Sequence, residues 1–287
     1  MLIGILGDIE SDYFSKLLIS QINNNLKNVK AEFFKISPIK MDFVSPYKVI
    51  IDRLSHKLHF YRIYLKNASI NYRTFVINNP FWMEVDDRFF DYGVMKIKGV
   101  NIPKTVCLPS KSYPQNIESE DLKNLIYPLN WEELVGYIGF PMVMKSQKHN
   151  NDVVYLVKNF DEMLYVYNQS GTEVMLLQEY INTNNYIRSF VIGQKYVLIT
   201  KYNSDTKTYC ESDLDKKTLE EIKLTSIKIC EILGYEINMI EFAIIDNKFY
   251  VIDINNPIPD FNIQEIYLNE IIEYTIRTIN GLIKKYF

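Results

Sequence analysis

Short apolar runs alternate along this chain with stripes of helical spacing, and that alternation predicts its elements. Leu2 to Leu6 is a strand, and Phe14, Leu17, Leu18, Ile22 and Leu26 mark the helix that follows. Ala31 to Ile36, Val49 to Ile51 and Phe75 to Ile77 are further strands, with a helix over Leu58 to Ala68. Strand and helix taking turns over residues 1–85 predict a small α/β lobe with a parallel sheet. Asp52-Arg53-Leu54-Ser55-His56 follows a strand's carboxyl end, where open α/β sheets place ligands. The same residues also fit a helix cap with solvated charges.

Val85 to Gly99 reads as a helix stopped by its glycine, and a strand follows Asn101-Ile102-Pro103. Pro109 to Pro128 holds three prolines and reads as a connecting loop with one short helix, which would bury Leu122, Leu125 and Ile126. Trp131 to Ile138 is a helix ending at Gly139. Phe140 to Lys145 is a strand that delivers a lysine at the end of an apolar run. Val153 to Val157 returns from it, so a hairpin tip presents Lys148, His149, Asn150 and Asn151. After a helix over Phe160 to Asn168 comes the strand Met175 to Tyr180. Tyr186 to Ile192 and Tyr196 to Tyr202 form a strand pair around Gly193-Gln194, with Arg188 and Thr200 or Lys201 facing one cavity. A helix carrying Leu219, Ile222, Ile229 and Leu233 ends at Gly234, and a last helix carries Ile266, Ile272, Ile276, Ile279 and Ile283.

Between those two helices lies a ribbon. Ile240 to Ile245 and Phe249 to Ile254 flank Asp246-Asn247, a pair that accepts the positive φ of a tight turn. With a period of two, Glu241 and Ala243 share one face, and Val251, Asp253 and Asn255 share one. Acids in apolar strands call for a partner or a hard cation such as magnesium. Taken alone, the ribbon also admits acids at solvated strand ends.

Length and charge narrow the classes. At 287 residues two or three lobes are expected, and a net charge of -3 leaves no footprint for nucleic acid. No apolar run of ~20 residues spans a bilayer. The start MLIGILGD lacks the basic region of a signal peptide. No nucleic-acid or membrane partner and a cytoplasmic location are expected. Three widely spaced cysteines fit neither a disulfide framework nor a zinc site. The 22 Tyr and 16 Phe leave two readings open, a homo-oligomer interface or well-filled cores.

In order along the chain, the strand lysine Lys145, the segment Gln178-Glu179-Tyr180-Ile181, Tyr186-Ile187-Arg188 and the acidic ribbon resemble the ATP-grasp superfamily. The likeness covers residues 86 to 260 and leans toward ribosomal-protein glutamate ligases and glutathione synthetases. GYEINMIEFA from Gly234 and DINNPIPD from Asp253 carry it furthest. It implies an α+β fold in which an N-terminal α/β lobe (1–85) precedes a central lobe (86–181) and a C-terminal lobe (182–287), the last two enclosing a nucleotide.

The resemblance also implies roles. Lys145, Arg88 and Lys148 would meet phosphates, and Gln178, Glu179, Tyr180 and Ile181 would form the adenine hinge. Arg188 and Lys201 would neutralise the transferring phosphoryl group or hold a substrate carboxylate. Glu241, Asp253 and Asn255 would hold Mg2+, with Asn256 competing for the last place. The implied activity is an ATP-dependent ligase joining a small-molecule or peptide carboxylate to an amine through an acyl phosphate. Ser146 to Asp152 holds no glycine where relatives have a glycine-rich loop. Two further readings stay open on that account, a noncatalytic regulatory or assembly protein and a small-molecule kinase.

Overall fold

The structure, a computed structural model, describes the chain apart from residues 71–73, 86, 149–152 and 247 and the side chain of Asn255. Two units emerge from its contacts. One joins Met1–Val85, Asn185–Glu241 and Asn255–Phe287, and the other joins Asp86–Asn184 and Phe242–Ile254.

The first unit begins with β1 (Leu2–Leu6), α1 (Tyr13–Asn25), β2 (Lys30–Phe33), β3 (Val49–Asp52), α2 (His59–Ile70), β4 (Phe75–Ile77) and the single turn α3 (Trp82–Val85). Its strands form the parallel sheet that the alternation predicts, in the order β2-β1-β3-β4. β1 pairs on both edges, Ile3 opposite Ala31 and Val49, so its continuous apolar run is buried between neighbours. Asp12 caps α1 by accepting from the Ser15 amide at 3.1 Å. β2 stops at Phe33, short of the expected Ile36, because it is the edge strand and Pro38 lies just beyond.

In the second unit follow α4 (Arg88–Ile97), β5 (Thr105–Leu108), α5 (Trp131–Ile138), β6 (Met142–Ser146), β7 (Val154–Val157), α6 (Phe160–Gln169) and β8 (Met175–Glu179). The strands make an antiparallel sheet of order β5-β8-β6-β7. Met142, Met144 and Leu177 fill its core with Met163 and Tyr167 of α6. The short helix expected between Pro109 and Pro128 does not form. That stretch makes isolated turns, such as the Leu125 amide on the Leu122 carbonyl, and Ile126 is 87% exposed rather than buried. Its prolines and polar residues give a helix no continuous apolar face to dock.

The chain then adds β9 (Tyr186–Ile192), β10 (Tyr196–Asn203), β11 (Thr208–Cys210), α7 (Lys216–Leu233), β12 (Ile237–Ile245), β13 (Lys248–Asn256) and α8 (Glu265–Tyr286). The sheet order is β11-β10-β9-β12-β13, and residues 242–254 of the ribbon count with the second unit. Gly234 ends α7 at φ 71°, a left-handed cap that costs a glycine little. Asp246 takes φ 50° at the ribbon turn; its neighbour Asn247 lies outside the described residues. In the first unit Ile3, Leu18, Phe190, Ile237 and Ile272 belong to one buried cluster, so the N-terminal lobe and the C-terminal stretch share a core.

Candidate active site

Lys145 follows from the pleat of β6. Met142 and Met144 point into the core, so Lys145, one residue on, points to the other face. It is 5% exposed, and its Nζ donates to Tyr92 Oη and to the Ile252 carbonyl, both at 2.8 Å. Tyr92 Oη in turn donates to that carbonyl at 2.9 Å. A buried ammonium requires such oxygen partners.

Arg88 opens α4, whose cap is Asp87. Its Nη1 donates to the Ser146 carbonyl at 3.0 Å and the Lys148 carbonyl at 3.3 Å, and its Nη2 lies 3.6 Å from Asp253 Oδ2. One guanidinium therefore ties the end of β6 to the acid of β13. At the expected hinge, Gln178 is buried and donates to Thr105 Oγ1 at 3.1 Å, which makes it a sheet-bracing residue. Glu179 accepts from the Lys104 amide at 3.1 Å, while Tyr180 and Ile181 are half-buried at the strand's end.

In the first unit Arg188 faces Thr200 across β9 and β10. Its Nε and Nη2 donate to Glu241 Oε1 at 2.7 and 2.5 Å, and its Nη1 donates to Tyr209 Oη at 2.7 Å. The guanidinium carbon lies 3.5 Å from the Tyr202 ring centroid. Burial works against the charge of Arg188, but Glu241 and the Tyr209 hydroxyl outweigh it and raise its pKa above the ordinary arginine value. Asn238 Oδ1 accepts from the Asn256 amide at 2.8 Å and holds the end of β13. Buried Asn78 accepts from the amides of Glu236 and Ile237 and donates to the carbonyls of Ile237 and Pro257, fixing the start of β12.

Magnesium takes oxygen ligands and keeps part of its water shell, so its carboxylates must be reachable. The side chains of Glu241 and Asp253 are 25% and 26% exposed, which suits that requirement, and each already has an arginine as counter-charge. Among the described residues no three His, Cys, Asp or Glu side chains converge on a metal-sized site. The side chain of Asn255 lies outside the description, as do His149, Asn150 and Asn151 of the hairpin tip.

No family model and no curated protein matches the sequence. Solved structures do. The chain is similar to a RimK domain protein ATP-grasp from Sphaerobacter thermophilus, with 17% identity and a TM-score of 0.69 over 97% of this chain and 98% of that one. D-alanine–D-alanine ligase from Bacillus anthracis complexed with ATP gives 16% identity and 0.66 over 99% and 96%. Macrocyclase MdnC from Microcystis aeruginosa, bound with precursor peptide MdnA, gives 14% and 0.65 over 96% and 99%.

The chain has the ATP-grasp fold.

Within this ATP-grasp fold the expected residues fall into two sets, Lys145, Arg88 and Asp253 in one unit and Arg188 with Glu241 in the other. Lys201 joins neither set. It stands opposite Ile187, on the face of β10 away from Arg188, and its Nζ lies 2.9 Å from exposed Asp213. Thr200 is the residue that shares the Arg188 face. Lys148 contributes its carbonyl to Arg88, and its amide donates to Ser146 Oγ at 3.2 Å.

Tyr92, Tyr202, Tyr209, Asn238 and Asn78 complete these sets without having been singled out from the sequence. Tyr92 reaches Lys145 from α4, Tyr202 and Tyr209 reach Arg188 from the paired strands β10 and β11, and Asn78 and Asn238 hold the backbone of β12 and β13.

Proposed function

We propose that this ATP-grasp protein is an ATP- and magnesium-dependent carboxylate–amine ligase. The observation that carries the reading is the buried Lys145 ammonium, held by Tyr92 and the Ile252 carbonyl, in a fold shared with a ligase complexed with ATP. A lysine aimed by fixed oxygens is suited to phosphate, where a preorganised cation needs no rearrangement as negative charge moves.

In this reading Lys145 and Arg88 meet the nucleotide's phosphates, and Glu179, Tyr180 and Ile181 meet the edge of the base. Arg188 faces the transferring phosphoryl group or the substrate carboxylate, without Lys201. A substrate carboxylate oxygen attacks the γ-phosphorus, the bond to the β–γ bridging oxygen breaks, and ADP leaves with that electron pair. The amine nitrogen then attacks the acyl carbon of the acyl phosphate. Phosphate departs with the electrons of the C–O bond, and the amine's proton passes to solvent. Glu241, Asp253 and Asn255 would hold Mg2+, which neutralises phosphate charge. No protein nucleophile enters.

The relatives support an amino acid or peptide as substrate, since one is named for joining D-alanine and another is bound with a precursor peptide. The test is calorimetric titration with a non-hydrolysable ATP analogue, with and without Mg2+, on the intact protein and on Lys145→Ala. Binding enhanced by metal and lost in the variant supports the ligase. An intact protein that ignores millimolar nucleotide would overturn it in favour of a noncatalytic role.

A further inference from the structure

A cavity of about 750 Å3 opens in the first unit, walled by the loop after β1, the residues after β3 and the loop that enters α8. That volume lies within the range of small-molecule sites. Arg53 lines it, with a side chain only 10% exposed.

The guanidinium is held through two of its nitrogens and backed on one side by two aromatic rings that touch each other. Its Nε lies 3.4 Å from Asp12 Oδ2, and its Nη1 donates to the Pro259 carbonyl at 2.8 Å. Its central carbon sits 5.2 Å from the Phe14 ring centroid and 4.9 Å from that of Phe261. Among the described residues its Nη2 has no partner. A donor left open on a side chain otherwise fixed and nine-tenths buried is a receptor for an anionic oxygen.

Charge then excludes a simple anion. Asp8, Asp12, Asp260 and Glu265 line the cavity against only Arg53 and Lys57, four carboxylates to two cations. Asp12 is taken up by Arg53. Hydrogen bonds from Ser11 and from the Glu10 and Ser11 amides hold the pKa of Asp8 below the ordinary carboxylate value, so it stays ionised. The surplus carboxylates favour a ligand that also brings an ammonium group.

We infer that this cavity binds a zwitterionic α-amino acid, its carboxylate on Arg53 Nη2 and its ammonium toward Asp8 and Asp260. The assignment of this amino acid as the amine that the ligase consumes rests on the function proposed above; the binding itself does not.

Ligand-observed NMR titration of the full chain without nucleotide tests the binding, with glycine, L-lysine and L-glutamate as probes and acetate and methylamine as single-charge controls. At least one amino acid should bind at millimolar concentration, about tenfold tighter than either control, as the loss of one charge-assisted contact demands. Asp260→Asn, at an exposed position, should weaken the amino acid while leaving acetate unchanged, and Arg53→Lys should weaken both. Equal binding of acetate and amino acids, variants that leave every affinity unmoved, or no amino acid bound would each overturn the inference. Should Arg53→Lys fail to fold, Asp260→Asn and the controls still decide it. Amino-acid binding in a protein that binds no nucleotide would keep the cavity's role and sink the ligase, and the converse result would do the reverse.

Discussion

The Lys145 ammonium and the Tyr92 hydroxyl lie 2.8 Å apart and both donate to the same backbone oxygen, that of Ile252. The triangle fixes where the charge sits. Tyr92→Phe keeps the ring that packs against Lys145 and removes only the oxygen. Stability should fall by about 1 kcal/mol, the usual worth of one buried hydrogen bond. Nucleotide affinity should fall by about fivefold because Lys145 loses its aim, not its charge. Calorimetry beside a thermal melt checks both, and an unchanged affinity would show that the hydroxyl only braces the fold.

Arg88 carries two tasks, two carbonyl contacts and one acid. Removing it abandons Asp253 and the end of β6 together, so Arg88→Ala should cost about 3 kcal/mol, as for a broken buried pair. Asp253→Asn leaves the carbonyl contacts in place and should cost about 1 kcal/mol. The metal dependence of nucleotide binding should separate them further. Asp253→Asn should abolish the enhancement by Mg2+ at nearly full stability, and retention of that enhancement would remove Asp253 from the metal set.

These two clusters show where the sequence is readable. A lysine closing an apolar run, and acids in an apolar ribbon, are visible without a fold because burying a charge demands a reason. The partner is not visible. Tyr92 lies 53 residues before Lys145 and is one of 22 tyrosines, so nothing local marks it. Most strands and helices are legible for the same local reason, a clear apolar run or period, whereas β11, Thr-Tyr-Cys with one buried residue between two exposed ones, offers neither. The choice between Thr200 and Lys201 has another origin. Sequence places Arg188 and Lys201 on neighbouring strands, but the register of Ile192 opposite Tyr196 decides their faces, and a one-residue difference in register reverses the answer.

That register makes a prediction of its own. Arg188 is bound through two nitrogens to Glu241, through the third to Tyr209, and lies over Tyr202, an arrangement a lysine cannot copy. Arg188→Lys should reduce turnover by about 100-fold, the scale for losing a preorganised charge contact. Lys201→Ala removes only an ion pair with exposed Asp213 and should change turnover and stability little. Phosphate release, measured once a substrate is found, distinguishes them. Equal loss in both variants would restore Lys201 to the reacting group.

Glu236 gives the chain a pH dependence apart from the reaction. Burial raises its pKa above the ordinary 4.5, and Lys285 only partly offsets this. A raised folded-state value means that the folded protein prefers the protonated acid. The stability from this group is therefore complete below 4.5 and is lost as pH rises through the folded value. At neutral pH the buried carboxylate opposes folding, at a place where Asn78 binds the Glu236 amide and will not let the backbone withdraw. Glu236→Gln should thus raise stability near neutrality by on the order of 1 kcal/mol, the scale for relieving one partly buried charge. Its advantage should shrink to nothing as the pH falls below 4.5, in melts compared from acid to neutral buffer. An advantage that grows toward acid would mean that the ionised carboxylate is stabilised by Lys285 rather than strained by burial.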